Sequence, residues 1–238
     1  MVLALFTDGC RPNARPAASP EGAASGQLNR LTADEAAAGW RLLFDGRATA
    51  GRRGYRRDSM PGGWQAVDGA LTLVAGGGGD IITRDTFANF ELSLEWRIAP
   101  GGNSGIMYRV TEQGAATYTS GPEMQVLDDS GHADGRSRLT AAGSDFGLYP
   151  APAAVVHRAG EWNQARIVVN GAHVEHWLNG VKFFEYELWS PDWQQRVQAS
   201  KFRQWPEYGM AHRGHIALQD HGGDYHPAYR NINIRVLP

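Results

Sequence analysis

Three Asx-Gly pairs, Asp68-Gly69, Asn170-Gly171 and Asn179-Gly180, constrain this chain more than any other feature of its sequence. A two-residue loop needs positive φ, which Asp, Asn and Gly adopt at the least cost, so such a pair between two strand-like runs predicts a tight hairpin. Residues 64–67 and 70–74 flank the first pair. Residues 161–169, 173–178 and 181–186 flank the other two and predict a three-stranded antiparallel meander. Residues 40–44, 90–98, 105–110, 123–129, 214–221 and 230–236 add further short runs. In 90–98 the alternation is complete: Leu92, Leu94, Trp96 and Ile98 share one face, Glu91, Ser93, Glu95 and Arg97 the other.

Helix signals are few. Thr32 with Glu35 forms a capping box stopped by Gly39, and Ser190 with Pro191 opens a second short helix that runs to about Ala199. About a dozen strands, two short helices and no strand–helix alternation predict an all-β antiparallel two-sheet sandwich, for which 238 residues suffice as one domain. The four-glycine run 76–79 is followed by neither Lys-Ser/Thr nor a helix, so it reads as a turn and not a phosphate cradle.

Residues 1–28 are rich in Ala, Pro, Gly and Ser, lack periodicity, and read as leader and linker ahead of a folded unit over 38–238. The single cysteine, Cys10, excludes an intrachain disulfide. It follows a short apolar start and Gly9 and precedes Pro12, Pro16 and Pro20, as in a bacterial lipoprotein signal without a basic start. This makes Cys10 a candidate lipidation site and the cell envelope, periplasmic or surface-attached, the expected location. No run is long enough to span a membrane, so membrane contact is expected only through such an anchor. A net charge of −2 removes the electrostatic case for nucleic acid or an anionic membrane. Eight Trp and eight Tyr suit surfaces that stack on the apolar faces of sugars.

The candidate site follows from strand parity. In 123–129, Met124 and Val126 share a core face, leaving Glu123 and Gln125 on the other. In 105–110, Ile106, Tyr108 and Val110 face one way, Met107 and Arg109 the other. In 214–221, Ile216 and Leu218 point inward, opposite His215, Gln219 and His221. If these strands share a sheet, a carboxylate, a guanidinium, amides and imidazoles meet on its outer face, a set able to grip hydroxyls and move protons. Ser104 lacks the turn and helix of a nucleophile elbow and reads as a turn residue. Asp128, at the end of its strand with core-side parity, reads as a loop residue or a ligand for a hard divalent cation such as calcium, with Asp129 and Asp220 as further candidates. No other cofactor is expected. The long Gly/Ala/Ser/Pro-rich stretch 128–160 has the character of a functional loop.

Seven motifs occur in one order: residues 39–46, 102–109, 123–128, 160–163, 178–180, 214–222 and 229–232. Together they resemble the 3-keto-disaccharide hydrolase domain family, over residues 38–237. The resemblance implies a concanavalin A-like lectin/glucanase jelly roll acting on an oxidised glycoside. A 3-keto sugar has an acidified proton at C2; a base removes it, the C1 substituent leaves, and water adds back. On this reading Glu123 and His221, with His215 as the alternative imidazole, exchange protons and Arg109 polarises the keto oxygen. Gln125, Gln219 and Asn103 orient hydroxyls, Lys201 reaches in from a loop, and Trp205 and Tyr208 supply a stacking wall. The alternatives are a carbohydrate-binding module or lectin on the same fold, or an ordinary glycoside hydrolase, which would need Glu95 or Asp128 beside Glu123.

Overall fold

The structure, a computed structural model, describes residues 28–152 and 154–238. The leader and the Cys10 lipidation signal lie outside the described residues. Thirteen strands are present among the described residues: β1 (Trp40–Leu42), β2 (Arg52–Gly54), β3 (Trp64–Val67), β4 (Ala70–Leu73), β5 (Ile81–Thr83), β6 (Phe90–Arg97), β7 (Asn103–Val110), β8 (Glu123–Leu127), β9 (Asn163–Asn170), β10 (His173–Leu178), β11 (Val181–Glu187), β12 (His215–Leu218) and β13 (Ala228–Val236). They form two antiparallel sheets. One has the order β11-β10-β9-β6-β13-β4-β3, with β1 also paired to β13; the other has the order β2-β5-β12-β7-β8. This is the two-sheet jelly-roll sandwich that the alternation and the resemblance imply.

The turns form as their chemistry demands, with one shift. Asp68-Gly69 and Asn179-Gly180 carry φ of 50° and 76°, and 49° and 78°. Asn170, by contrast, is still paired with His173, so the β9–β10 turn is Gly171-Ala172, with Gly171 at φ 62°. Helix α1 (Ala33–Ala37) is capped by Thr32, whose Oγ1 accepts from the Glu35 N–H while Glu35 accepts from the Thr32 N–H. Helix α2 (Pro191–Ala199) is capped by Ser190 and buries Trp193 and Val197. The packed fold begins earlier than the helix: buried Asn29 donates to Gly69 O at 2.7 Å and exchanges two hydrogen bonds with Asn231.

The core lies between the sheets. Phe90, Leu92, Leu94 and Trp96 of β6 meet Ile106 and Tyr108 of β7, Met124 and Val126 of β8, and Ile216 and Leu218 of β12, all almost fully buried. Each such side chain contributes about 1.5–3 kcal/mol of burial. Three polar groups in this layer pair with one another: Tyr108 OH bonds His176 Nε2 at 3.0 Å and Tyr186 OH at 2.6 Å. Burial lowers the His176 pKa to about 3, so this imidazole is neutral. Ser104 is neither a turn residue nor exposed. It sits in β7 facing the core, where it donates to Gln219 O and pairs with Tyr229 OH, both at 2.7 Å.

Alternation in β7 breaks at Arg109, whose φ is 52°. The β7–β12 register shifts beside it, as at a β-bulge, between His215 and Ala217. Val110 is thereby turned out to join Ile82, Met107 and Ala217 in a small second apolar cluster, away from Ile106 and Tyr108.

Candidate active site

Strands β12, β7 and β8 are neighbours in the five-stranded sheet, so the polar faces read from the sequence do share one surface. Register fixes who meets whom. Glu123 pairs with Met107, Gln125 with Gly105, and the chain beyond β12 continues alongside through the bond from Gln219 N to Gly105 O. The Glu123 side chain leans across Gly105, where an added Cβ would overlap its carboxyl oxygen, so the strand passes under the acid only because that residue has no side chain. Gln125 Nε2 donates to Asn103 Oδ1 at 3.3 Å.

Over this surface lies a cavity of about 280 Å³ lined by Asn103, Glu123, Gln125, Gln219, His221 and Lys201, together with Asp80, Tyr118, Asp134, Phe146 and Asp220. The loops are placed by specific bonds. Asp80 accepts from Asp220 N at 2.8 Å and from Thr117 Oγ1, which also seats the turn Thr117–Thr119 that presents Tyr118. Phe146 N donates to Glu123 O, laying the loop after residue 143 along β8. Phe202, buried in the core, anchors the single turn Lys201–Gln204 that follows α2. Lys201 Nζ is thereby held over Phe146, Phe202 and Tyr118, at 4.3, 5.2 and 5.9 Å from the ring centroids.

Glu123 is 5% exposed, and among the described residues no donor is hydrogen-bonded to its carboxyl. Burial pushes its pKa from 4.5 up to about 8; the Lys201 charge opposes the rise, while Asp80, Asp145 and Asp134 add to it. Directly behind it, Asp145 is fully buried and raised by burial to about 7. Partial burial and the nearby His132 hold the exposed His221 imidazole below its ordinary 6.5; the two rings lie 6.2 Å apart. The cavity therefore contains an acid that keeps its proton at neutral pH, an imidazole that is neutral there, and an ammonium.

Five sequence-predicted residues do not reach this cavity. Arg109, deflected by the bulge, donates to Ala88 O (3.1 and 2.8 Å) and to Gly171 O (2.8 Å) and lies over Trp189, so it ties the two sheets together. His215 stands on the far side of the same bulge, bonded through Nδ1 to Thr83 O. Tyr208 is a core residue stacked on Phe202 at 4.0 Å; Trp205 is half-buried and touches the wall only through Tyr118, edge-on at 5.4 Å. Asp128 is a loop staple, accepting from Ser130 N and Oγ and from Gly101 N, and no cluster of cation ligands includes it among the described residues. Of the other two candidate ligands, Asp129 accepts from Ala142 N, and Asp220 lines the cavity.

His173, Glu175 and Glu185 do bring ligand atoms within 4.8 Å of one another, enough to coordinate a metal ion. They sit on β10 and β11 of the other sheet, where Lys182 already bridges both carboxylates. Glu95 is also on that other sheet, paired with Arg230 and Asn231. Neither Glu95 nor Asp128 stands beside Glu123, so the carboxylate pair they were to form with it is not assembled.

Asp80, Tyr118, Asp134 and Phe146 were not anticipated. The length of the 128–160 loop was the one signal toward Asp134 and Phe146. Asp80 and Tyr118 carry no local signal, because each is brought in by a loop.

Residues 39–235 match the 3-keto-alpha-glucoside-1,2-lyase-like domain family. The chain belongs to that family. It is 36% identical over 242 residues to a 3-keto-disaccharide hydrolase of Bacteroides thetaiotaomicron, covering 89% of this chain and 83% of that one. Among solved structures, it is similar to a proposed glycosyl hydrolase of Parabacteroides distasonis, with a TM-score of 0.83, 31% identity, and 89% and 100% of the two chains covered. A second such protein from the same organism gives 0.69 and 29%, over 83% and 99%. Family membership makes the chain a carbohydrate-active, glycosidase-like enzyme.

Proposed function

We propose that the chain cleaves 3-keto-glycosides, including 3-keto-disaccharides, by elimination and rehydration, with His221 as base, Glu123 as acid and Lys201 as the cation facing the keto oxygen. The observation that carries this reading is Glu123: a carboxyl sealed into a polar cavity, free of hydrogen-bond donors, with its pKa raised to about 8. At pH 7 it is protonated by roughly ten to one, as an acid catalyst must be. A sugar-binding module has no use for such a group, since an unpaired buried carboxyl costs stability without holding a hydroxyl better than an amide.

His221 removes the C2 proton, and the electrons collect on the C3 oxygen, where the Lys201 ammonium stabilises them. The enolate re-forms the ketone as a C1–C2 double bond appears and the C1–O bond breaks, with the Glu123 proton passing to the departing oxygen. Water then adds to C1 and surrenders a proton to the Glu123 carboxylate, while the histidinium returns its proton to C2. Both groups are restored and the net reaction is hydrolysis. Gln125, Asn103 and Gln219 line the floor, where amides suit the remaining hydroxyls. Lys201 takes over the polarising role first assigned to Arg109.

Turnover of a 3-keto-glucoside in D2O tests this. The expected product carries deuterium at C2, and Glu123→Gln and His221→Asn each lose at least about 100-fold in kcat. Cleavage without deuterium at C2, or full activity in both folded variants, would overturn the assignment. We also infer an envelope location through lipidation of Cys10, supported by its sequence context. Radiolabelled palmitate entering the wild type but not Cys10→Ser in the native host is the expected result, and equal labelling of the two refutes it.

A further inference from the structure

A second cavity, of about 240 Å³, adjoins the reaction cavity and shares two of its wall residues, Asp80 and Tyr118. Its character differs. The reaction cavity is lined mainly by carboxylates and amides; this one, beyond the shared Asp80, whose oxygens already accept from Thr117 Oγ1 and Asp220 N, is lined by Tyr55, Tyr118, Ala115 and Ala116, with the glycine turn at Gly78 and Gly79 on one side and Arg57 on another. Both tyrosines are held as walls. Tyr55 OH donates to the backbone oxygens of Thr111 and Gly114 at 3.1 and 2.9 Å, and Tyr118 stands edge-on to Trp205. The Arg57 stem packs over Gly54, where an added Cβ would stand 3.1 Å from Arg57 Cδ. Its guanidinium makes no hydrogen bond or ion pair among the described residues. By contrast the neighbouring Arg53 is fully engaged by Glu112, at 2.7 and 2.6 Å.

A glycoside cleaved between C1 and its substituent needs space for that substituent next to the sugar. Tyr118 faces both cavities, so a group leaving the reaction cavity past Tyr118 enters the second one. Two aromatic walls favour a flat, apolar ring over a second sugar rich in hydroxyls, and a free guanidinium at the rim favours an anionic substituent on that ring, carboxylate above all. We propose that this cavity is the leaving-group subsite and that it selects aromatic leaving groups bearing a carboxylate, with Arg57 as the residue that reads the charge. This rests on the reaction proposed above.

The test compares the 3-keto-glucoside of 4-hydroxybenzoic acid with that of its methyl ester. The two aryl groups share shape, and the neutral ester is at least as good a leaving group, so leaving-group chemistry alone gives the acid no advantage. The wild type is expected to show kcat/KM at least about tenfold higher for the acid, and Arg57→Gln to bring the ratio to about one. The ratio is internal to each protein, so partial loss of folded Arg57→Gln does not affect it. If the wild type cleaves both with a ratio near one, or if the preference survives in Arg57→Gln, the subsite assignment is overturned. If the wild type cleaves neither of them nor a simple alkyl 3-keto-glucoside, it is the reaction itself that fails.

Discussion

Replacing Glu123 by glutamine removes, among the described residues, the one titration that is both deeply buried and aimed into the candidate site. The folded-state pKa is about 8, while the unfolded chain titrates near 4.5. Between those values the folded protein holds a proton that the unfolded chain has released, so the folded state binds more protons and stability falls as pH rises. The contribution is fully present below pH 4.5 and is lost as pH climbs through 8. At about 1.4 kcal/mol per pH unit the loss amounts to at most about 5 kcal/mol. Glu123→Gln has nothing to ionise at this position and escapes that loss. Every other group, including the raised Asp145 close behind, is present in both proteins and largely cancels in the comparison. Urea unfolding of wild type and variant at intervals from pH 5 to 9 reads the difference directly. The variant's relative stability should grow by several kcal/mol across that range, most steeply between pH 5 and 8, and level off above. The wild-type enzyme should lose activity with an inflection near pH 8, as the acid ionises. Stability curves that run parallel within about 1 kcal/mol would refute the claim that burial keeps this carboxyl protonated, and with it the acid role.

Three further expectations follow from individual contacts. Lys201→Met removes the charge that opposes the rise in Glu123, so the alkaline inflection of the pH–rate profile should move upward while kcat/KM falls about 10- to 100-fold; an unmoved inflection counts against Lys201 facing the acid. Gly105→Ala puts a Cβ into the Glu123 carboxyl and should cost at least about 100-fold in kcat with the far-ultraviolet spectrum retained; a near-wild-type rate would show that the acid works from another position. Arg109→Met strands the carbonyls of Ala88 and Gly171 and should cost about 2 kcal/mol in urea unfolding, with the pH–rate inflections unchanged in the folded fraction; a shifted inflection would return Arg109 to the chemistry.

Glu123 and Gln125 on one side of β8, with Met124 and Val126 on the other, were legible because strand parity is a local property of two-residue periodicity. The same reasoning failed on the neighbouring strand, at Arg109 and Val110. A bulge costs one unpaired residue and flips parity beyond it, and nothing in the residues around Arg109 announces a positive φ there. Arg109 and Val110 changed faces for that single reason, while His215 keeps its outward side opposite Val110 and stands beyond the cavity.

By itself the sequence determined the elements and their turns: the Asx-Gly hairpins, the capped ends at Thr32 and Ser190, the alternating strands that demand a two-sheet sandwich, and the carboxylate at Glu123 on an outward parity. These depend on neighbours within a few residues, where φ preference, capping and periodicity act. Only the tertiary structure decided which polar groups share the cavity and how they are charged. Asp80, Tyr118, Asp134, Phe146 and Lys201 arrive on loops whose positions are set by contacts far along the chain, such as Thr117 on Asp80 and Phe202 in the core. The charge of Glu123 depends on how much water those loops exclude and on which charges they bring near it, and both are sums over space that no local pattern records.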